Sequence, residues 1–208
     1  MTPPAFTVSG MAFFSSDTDP SAPAVDPVQA VDPVDPVEPA GTPAGSIRPY
    51  RDSDRAAVLT VINTAAQAYR GVIPADRWHD PYMASAELDA EITAGVTFSV
   101  HDTDGDVLAV MGIQRVGDVD LIRHAYVDPA HQGRGLGAGL LRHLQDSTRR
   151  PVLVGTWAAA QWAIGFYEHH GYHRVDQDRA AQLLRTYWTV PDRQIHTSVV
   201  LTNQPLNT

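Results

Sequence analysis

The 208-residue sequence contains no cysteine and no lysine. Without cysteine there are no disulfides, no thiolate metal sites and no thiol nucleophile, so the redox compartment leaves no mark on the chain. Without lysine there is no Schiff-base chemistry, no biotinyl-lysine and no Walker lysine to grip nucleotide phosphates. No apolar run approaches the roughly 18 residues that a membrane-spanning helix needs. No basic residue precedes Arg48, which fits neither a secretory signal nor an arginine-rich transit peptide, so the expected location is cytoplasmic, away from membrane.

The formal charge is -9, and it is unevenly spread. Residues 1–46 hold six acids, no base and nine of the 16 prolines, including the near-repeat from Val25 to Pro39. Proline at every third residue, with acids between, favours an extended solvated chain, so 1–46 is expected to be a disordered tail. The remainder balances 18 acids against 15 arginines. A basic stripe for nucleic acid is therefore not evident.

From Ser46 the pattern changes to that of one packed domain over 47–202. Ile47 to Tyr50 opens as a strand; Val58, Val61, Ile62, Ala65, Ala66 and Tyr69 follow at helical spacing after Asp52 or Ser53 as a cap. A short helix is expected over Ala86 to Ala94, stopped by Gly95. Strands over Val96 to Val100 and Val107 to Val116 flank Asp104-Gly105, a hairpin signal. A third strand, Val119 to Val127, ends before Asp128-Pro129. Beyond a glycine cluster, Leu136, Leu140, Leu141 and Leu144 share a helix face. Pro151 to Thr156 is a strand, Ala158 to His170 a helix, Tyr172 to Val175 a strand and Gln194 to Leu201 the last strand. The order βααβββαβαββ implies an α/β (α+β) domain with a mixed, mostly antiparallel central sheet flanked by helices.

The glycine cluster carries the chemistry. Gly133-Arg134-Gly135-Leu136-Gly137 cannot be a P-loop, which must end in Gly-Lys-Ser/Thr. A dinucleotide fingerprint should be followed about 20 residues later by an acid for the ribose hydroxyl, and no carboxylate stands between Asp146 and Glu168. The remaining reading takes Gln132, Gly135 and Gly137 as Q-x-x-G-x-G between a strand and a helix, where successive backbone N–H groups form a cradle for a pyrophosphate. With Phe166-Tyr167-Glu168-His169-His170-Gly171-Tyr172 downstream, the sequence resembles the GCN5-related N-acetyltransferase (GNAT) superfamily over roughly Ile47 to Leu201. The sharp motifs are confined to Val127 to Tyr172.

That resemblance implies a transferase that moves an acetyl group from acetyl-CoA to a primary amine of a small molecule or peptide by direct attack on the thioester, with no metal. It assigns Tyr167 the catalytic role beside the sulfur of coenzyme A. The coenzyme A cradle would comprise Tyr126, Val127, Gln132, Gly133, Arg134, Gly135, Leu136 and Gly137. The family often carries Asn seven residues before the tyrosine, where this chain has Ala160; Gln161 or Trp157 are the nearby substitutes. For the acceptor, the segment Tyr69 to Met83 and the planar donor fork of Arg123 are candidates, with Tyr69, Trp78 and His79 the residues named. Strict alternation along the third strand would put Leu121, Arg123 and Ala125 on one face and Asp120, Ile122, His124 and Tyr126 on the other. No base stands on the first face, which leaves His124, His79 and Glu87 as candidates acting through water. The alternatives are a non-catalytic acyl-CoA-binding or scaffold domain and an NAD-linked oxidoreductase. A homodimer is left open by the sequence.

Overall fold

The computed structural model describes residues 45–188 and 190–206, so the tail expected over 1–46 lies almost wholly outside the described residues. The elements are β1 (Ser46–Pro49), α1 (Arg55–Ala66), α2 (Ser85–Thr93), β2 (Val96–Thr103), β3 (Asp106–Val116), β4 (Val119–Val127), α3 (Leu136–Asp146), β5 (Val152–Trp157), α4 (Gln161–His169), β6 (His173–Arg174), α5 (Gln177–Tyr187), α6 (Asp192–Ile195) and β7 (Ser198–Thr202). They form one seven-stranded sheet in the order β1-β2-β3-β4-β5-β7-β6. Only β4 and β5 run parallel, joined across α3; every other pair is antiparallel. A single parallel pair is not the doubly wound sheet of a nicotinamide-binding domain, which removes that alternative.

Each face of the sheet buries its own core. Val58, Val61 and Ile62 of α1 pack with Leu88 of α2, Leu183 and Leu184 of α5 and Leu121 and Leu153 of the sheet. On the other face, Leu136, Leu140, Leu141 and Leu144 of α3 meet Ile122, Val152, Val154 and Ile164. Alternation along β5 delivers Leu153 to one core and Val152 and Val154 to the other, so the sheet is covered on both sides. The β2–β3 turn is the expected hairpin. Asp104 and Gly105 both take positive φ, 54° and 94°, as the tight turn that matches strand twist requires.

The structure corrects the sequence reading at three places. Helix α5 was not anticipated, although Asp176 caps it by accepting from Arg179 N at 2.9 Å and Ala180, Leu183 and Leu184 form its buried stripe. The last strand begins four residues later than expected, because Gln194 and Ile195 belong to α6, whose short turn buries Ile195. The third correction governs the site. Gly112 pairs with Arg123 but Val110 with Tyr126, so His124 and Ala125 together stand opposite Met111 alone. This is a β-bulge, with His124 at φ 49°, and the extra residue reverses the alternation beyond it. Tyr126 therefore joins Leu121 in one core, while Ala125 and Val127 pack with Ile122 in the other.

Candidate active site

Strands β4 and β5 pair only at Asp120 with Val152 and Leu121 with Leu153. Beyond those residues β4 bends through its bulge, whereas β5 stays paired with β7 as far as Trp157 and Ser198. The two strands diverge, and a cavity of about 760 Å³ occupies the gap, within the size range of ligand sites. Ala125 to Val127 line one wall and Val154 to Thr156 the other. The turn from His131 through Ala138 closes one end; Tyr69 of the segment after α1 and Trp162, Phe166 and Tyr167 of α4 are also in the lining.

The turn is built locally. The Asp128 carboxylate accepts from Ala130 N at 2.8 Å and starts a short turn at Pro129–His131. The Gln132 side-chain amide donates to Val127 O at 3.4 Å. Gly133 and Gly135 take φ of 74° and 78°, and Gly135 is the N-terminal cap of α3 with no side chain capping the helix. The first N–H groups of a helix have no intrahelical acceptor and carry the positive end of its dipole, so this end of the cavity suits an anion. A Cβ at Gly133 or Gly135 would meet nothing within 4 Å; the left-handed backbone, not crowding, calls for glycine there. At Gly137 crowding is the reason, since a Cβ would lie 3.3 Å from Val127 Cγ2 and 3.6 Å from the Phe166 ring.

Tyr167 is 4% exposed and packs edge-on against Phe166 and Tyr172, with ring centroids 5.1 and 5.5 Å away. Burial, with Tyr69 and Tyr172 nearby, pushes its phenol above the ordinary range, so it keeps its proton at neutral pH. Burial does the same at Tyr126 and Tyr69, the latter partly offset by the Thr156 hydroxyl. Tyr69 also stacks on Tyr82 at 6.3 Å and meets Trp162 at 5.3 Å. Trp162 is 47% exposed, so its ring sits at the cavity's rim.

Nine residues expected for the site line this one cavity: Tyr69, Tyr126, Val127, Gln132, Gly133, Gly135, Leu136, Gly137 and Tyr167. Arg134 is exposed and outside the lining. Arg123 is also elsewhere. Its guanidinium is fully buried, bonded to both Glu91 oxygens at 3.0 and 2.8 Å and to Gln114 Oε1 at 2.7 Å, so it holds core partners instead of an acceptor. Trp78 and His79 lie outside the lining as well, packed against Tyr82 at 5.4 and 5.9 Å.

The expected bases are spoken for. His124 Nε2 lies 3.3 Å from Glu91, and Glu87 accepts from Ala84 N at 2.6 Å to cap α2. Ala160 is buried; Gln161 is exposed with its amide on Ala158 O, and Trp157 lies in the core, so neither replaces an asparagine amide in the cavity. Sequence reasoning missed Trp162, Phe166 and His170, yet their spacing of four along α4 and onto its C-terminal cap, beside Tyr167, was a usable signal. Among the described residues no group of three or more His, Asp or Glu could hold a metal ion. No helix among them is long and apolar enough to cross a membrane.

A family model described as an acetyltransferase (GNAT) domain matches residues 94–174. The chain is 36% identical over 112 residues to an L-amino acid N-acyltransferase of Escherichia coli strain K12, a match covering 50% of this chain and 63% of that protein. It is 29% identical over 154 residues to the mycothiol acetyltransferase of Rhodococcus erythropolis, covering 65% of this chain and 48% of that protein. The chain thus spans less than two thirds of either relative's own length. The PaiA N-acetyltransferase of Thermoplasma acidophilum, solved in complex with coenzyme A, matches 78% of this chain and 99% of its own with a TM-score of 0.61 and 12% identity. The ribosomal-protein-S18-alanine N-acetyltransferase of Escherichia coli gives 0.54 over 76% and 92%, at 18% identity. At such identities the likeness concerns the fold alone.

Proposed function

The chain belongs to the GNAT acetyltransferase superfamily, and from that premise we propose that it transfers the acetyl group of acetyl-CoA to the primary amine of an amino acid or peptide. One observation carries the reading: the uncapped start of α3 and the Tyr167 side chain line the same cavity, where β4 and β5 part. An anion-binding end and a protonated phenol in one cleft suit a thioester with a pyrophosphate in its tail. The names of the two relatives and the coenzyme A complex of a structural neighbour point the same way.

The pyrophosphate would rest on the free amides of Leu136, Gly137 and Ala138, with Gly137 keeping the helix start close to Val127 and Phe166. The diverging edges of β4 and β5 leave backbone groups unpaired by the sheet, and these would hold the amide-bearing arm of the thioester along the cleft. The acceptor nitrogen attacks the thioester carbonyl carbon, the C–N bond forms, and the C–S bond breaks as the tetrahedral adduct collapses. Tyr167 donates to the departing sulfur, which leaves as a thiol; the proton lost from nitrogen balances the one gained by sulfur. Much of the rate comes from holding the two reactants together in one cleft.

Free-thiol release from acetyl-CoA, followed with a panel of amines, tests the reading. Release that depends on the amine and yields N-acetylated product supports transfer. Acetyl-CoA binding without release at any amine would instead mark a binding or scaffold domain.

A further inference from the structure

Among the described residues only Asp104 and His124 take positive φ without being glycine. Asp104 sits in a hairpin turn, whereas His124 stands inside β4, where the left-handed region is unusual for any side chain. Its contacts are unusual too. In a regular strand consecutive side chains point to opposite faces of the sheet. Arg123 and His124 are consecutive, yet both reach one carboxylate on α2: Arg123 donates to Glu91 at 3.0 and 2.8 Å, and His124 Nε2 lies 3.3 Å from Glu91 Oε2. The His124 ring also meets Phe98 of β2, 5.8 Å away, which belongs to the core beneath α2.

Only the bulge permits this double contact. With Gly112 opposite Arg123, a regular register would set His124 opposite Met111 and Ala125 opposite Val110, turning the imidazole away from Glu91. Instead Val110 faces Tyr126, and the strand beyond is turned over. Tyr126 then joins the core on the α1 side, and Val127 meets the start of α3, its Cγ2 3.3 Å from where a Cβ on Gly137 would stand. We infer that Glu91 is a positioning residue: by holding Arg123 and His124 together it selects the bulged register, and that register presents Ala125 to Val127 to the cleft. Glu91 is outside the cavity lining and acts through β4. The consequence for coenzyme A rests on the transferase reading; the consequence for the strand register does not.

The test compares the double variant Glu91→Leu with Arg123→Met, which strands no buried charge, with a triple variant that adds His124→Gly. Register is read without ligand from cross-strand proton NOEs, and coenzyme A affinity by titration. In the double variant the Val110 contact should move from Tyr126 to Ala125, and Kd should rise about tenfold or more, as when about one molecule in ten keeps the bulge. Glycine takes positive φ without a contact to hold it, so the triple variant should regain the Val110–Tyr126 contact and most of the affinity. Lost packing alone predicts the reverse, because a further truncation would weaken the site again. An unchanged register in the double variant overturns the inference, as does an unchanged Kd beside a moved register, or a triple variant no better than the double. Should the double variant not fold, His124→Val against His124→Gly decides: the β-branched residue resists positive φ, so valine should lose the register and glycine keep it, and equal behaviour overturns the inference. A register that moves as expected in a protein that never binds coenzyme A would overturn the transferase reading and leave the clamp on β4 supported.

Discussion

Arg123 of β4 and Glu91 of α2 form a two-pronged ion pair inside the core, one guanidinium nitrogen lying 3.0 and 2.8 Å from the two carboxylate oxygens. Gln114 of β3 takes a second guanidinium nitrogen at 2.7 Å and itself donates to Ala94 O at 2.9 Å. The pair ties α2 to β4 immediately before the bulge at His124. Removing one partner leaves a buried charge without compensation, which costs about 3–5 kcal/mol. Glu91→Ala should therefore destabilise the protein by that order in urea unfolding. The double variant Glu91→Leu with Arg123→Met should lose less than Glu91→Ala alone, because no charge is then stranded.

That pair also marks where the sequence stops being informative. The glycine turn was legible because backbone conformation is local: Gly133 and Gly135 stand where φ is positive, and Asp128-Pro129 announces the preceding break. Arg123 was not legible, since its partner Glu91 lies 32 residues away and only tertiary packing brings them together. Alternation failed at Tyr126 for a related reason. The bulge inserts one residue into β4, and nothing in Arg123-His124-Ala125 announces it without the register of β3. Helix α5 could have been found, since Asp176 as a cap and Ala180, Leu183 and Leu184 as a stripe are ordinary helix signals.

At the other edge of the domain, Arg48 of β1 bonds Asp54 at 2.6 and 2.9 Å and Asp102 of β2 at 2.7 and 3.1 Å. These bonds hold both carboxyls below the usual aspartate range. The unfolded chain then binds protons more readily than the folded one. The stabilisation is complete above about pH 4 and is lost as pH falls through the depressed folded values. The melting temperature of Arg48→Met should lie below wild type at neutral pH, and the gap should narrow as the pH is taken below 4. A gap that is constant with pH would show that Arg48 acts by packing alone.

Gly135 and Gly137 should respond differently to alanine. Gly135→Ala adds a methyl group in open space but forces it into the left-handed region, a cost of about 1–2 kcal/mol. Gly137→Ala lies within α3, where alanine is the better helix former by about 1 kcal/mol, but its Cβ presses on Val127 and Phe166 at the mouth of the cradle. Stability should be kept in Gly137→Ala while KM for acetyl-CoA rises. Thermal melts and acetyl-CoA titrations on both variants separate the two effects.

The account turns on Tyr167, the buried phenol that shares its cavity with the start of α3. Tyr167→Phe keeps the ring contacts with Phe166 and Tyr172 and removes only the hydroxyl. The most direct measurement is amine-dependent thiol release by this variant beside its Kd for acetyl-CoA. The account predicts a fall in kcat of about 10²-fold or more, with Kd changed little. An unaltered kcat in Tyr167→Phe, at unaltered Kd, would contradict it.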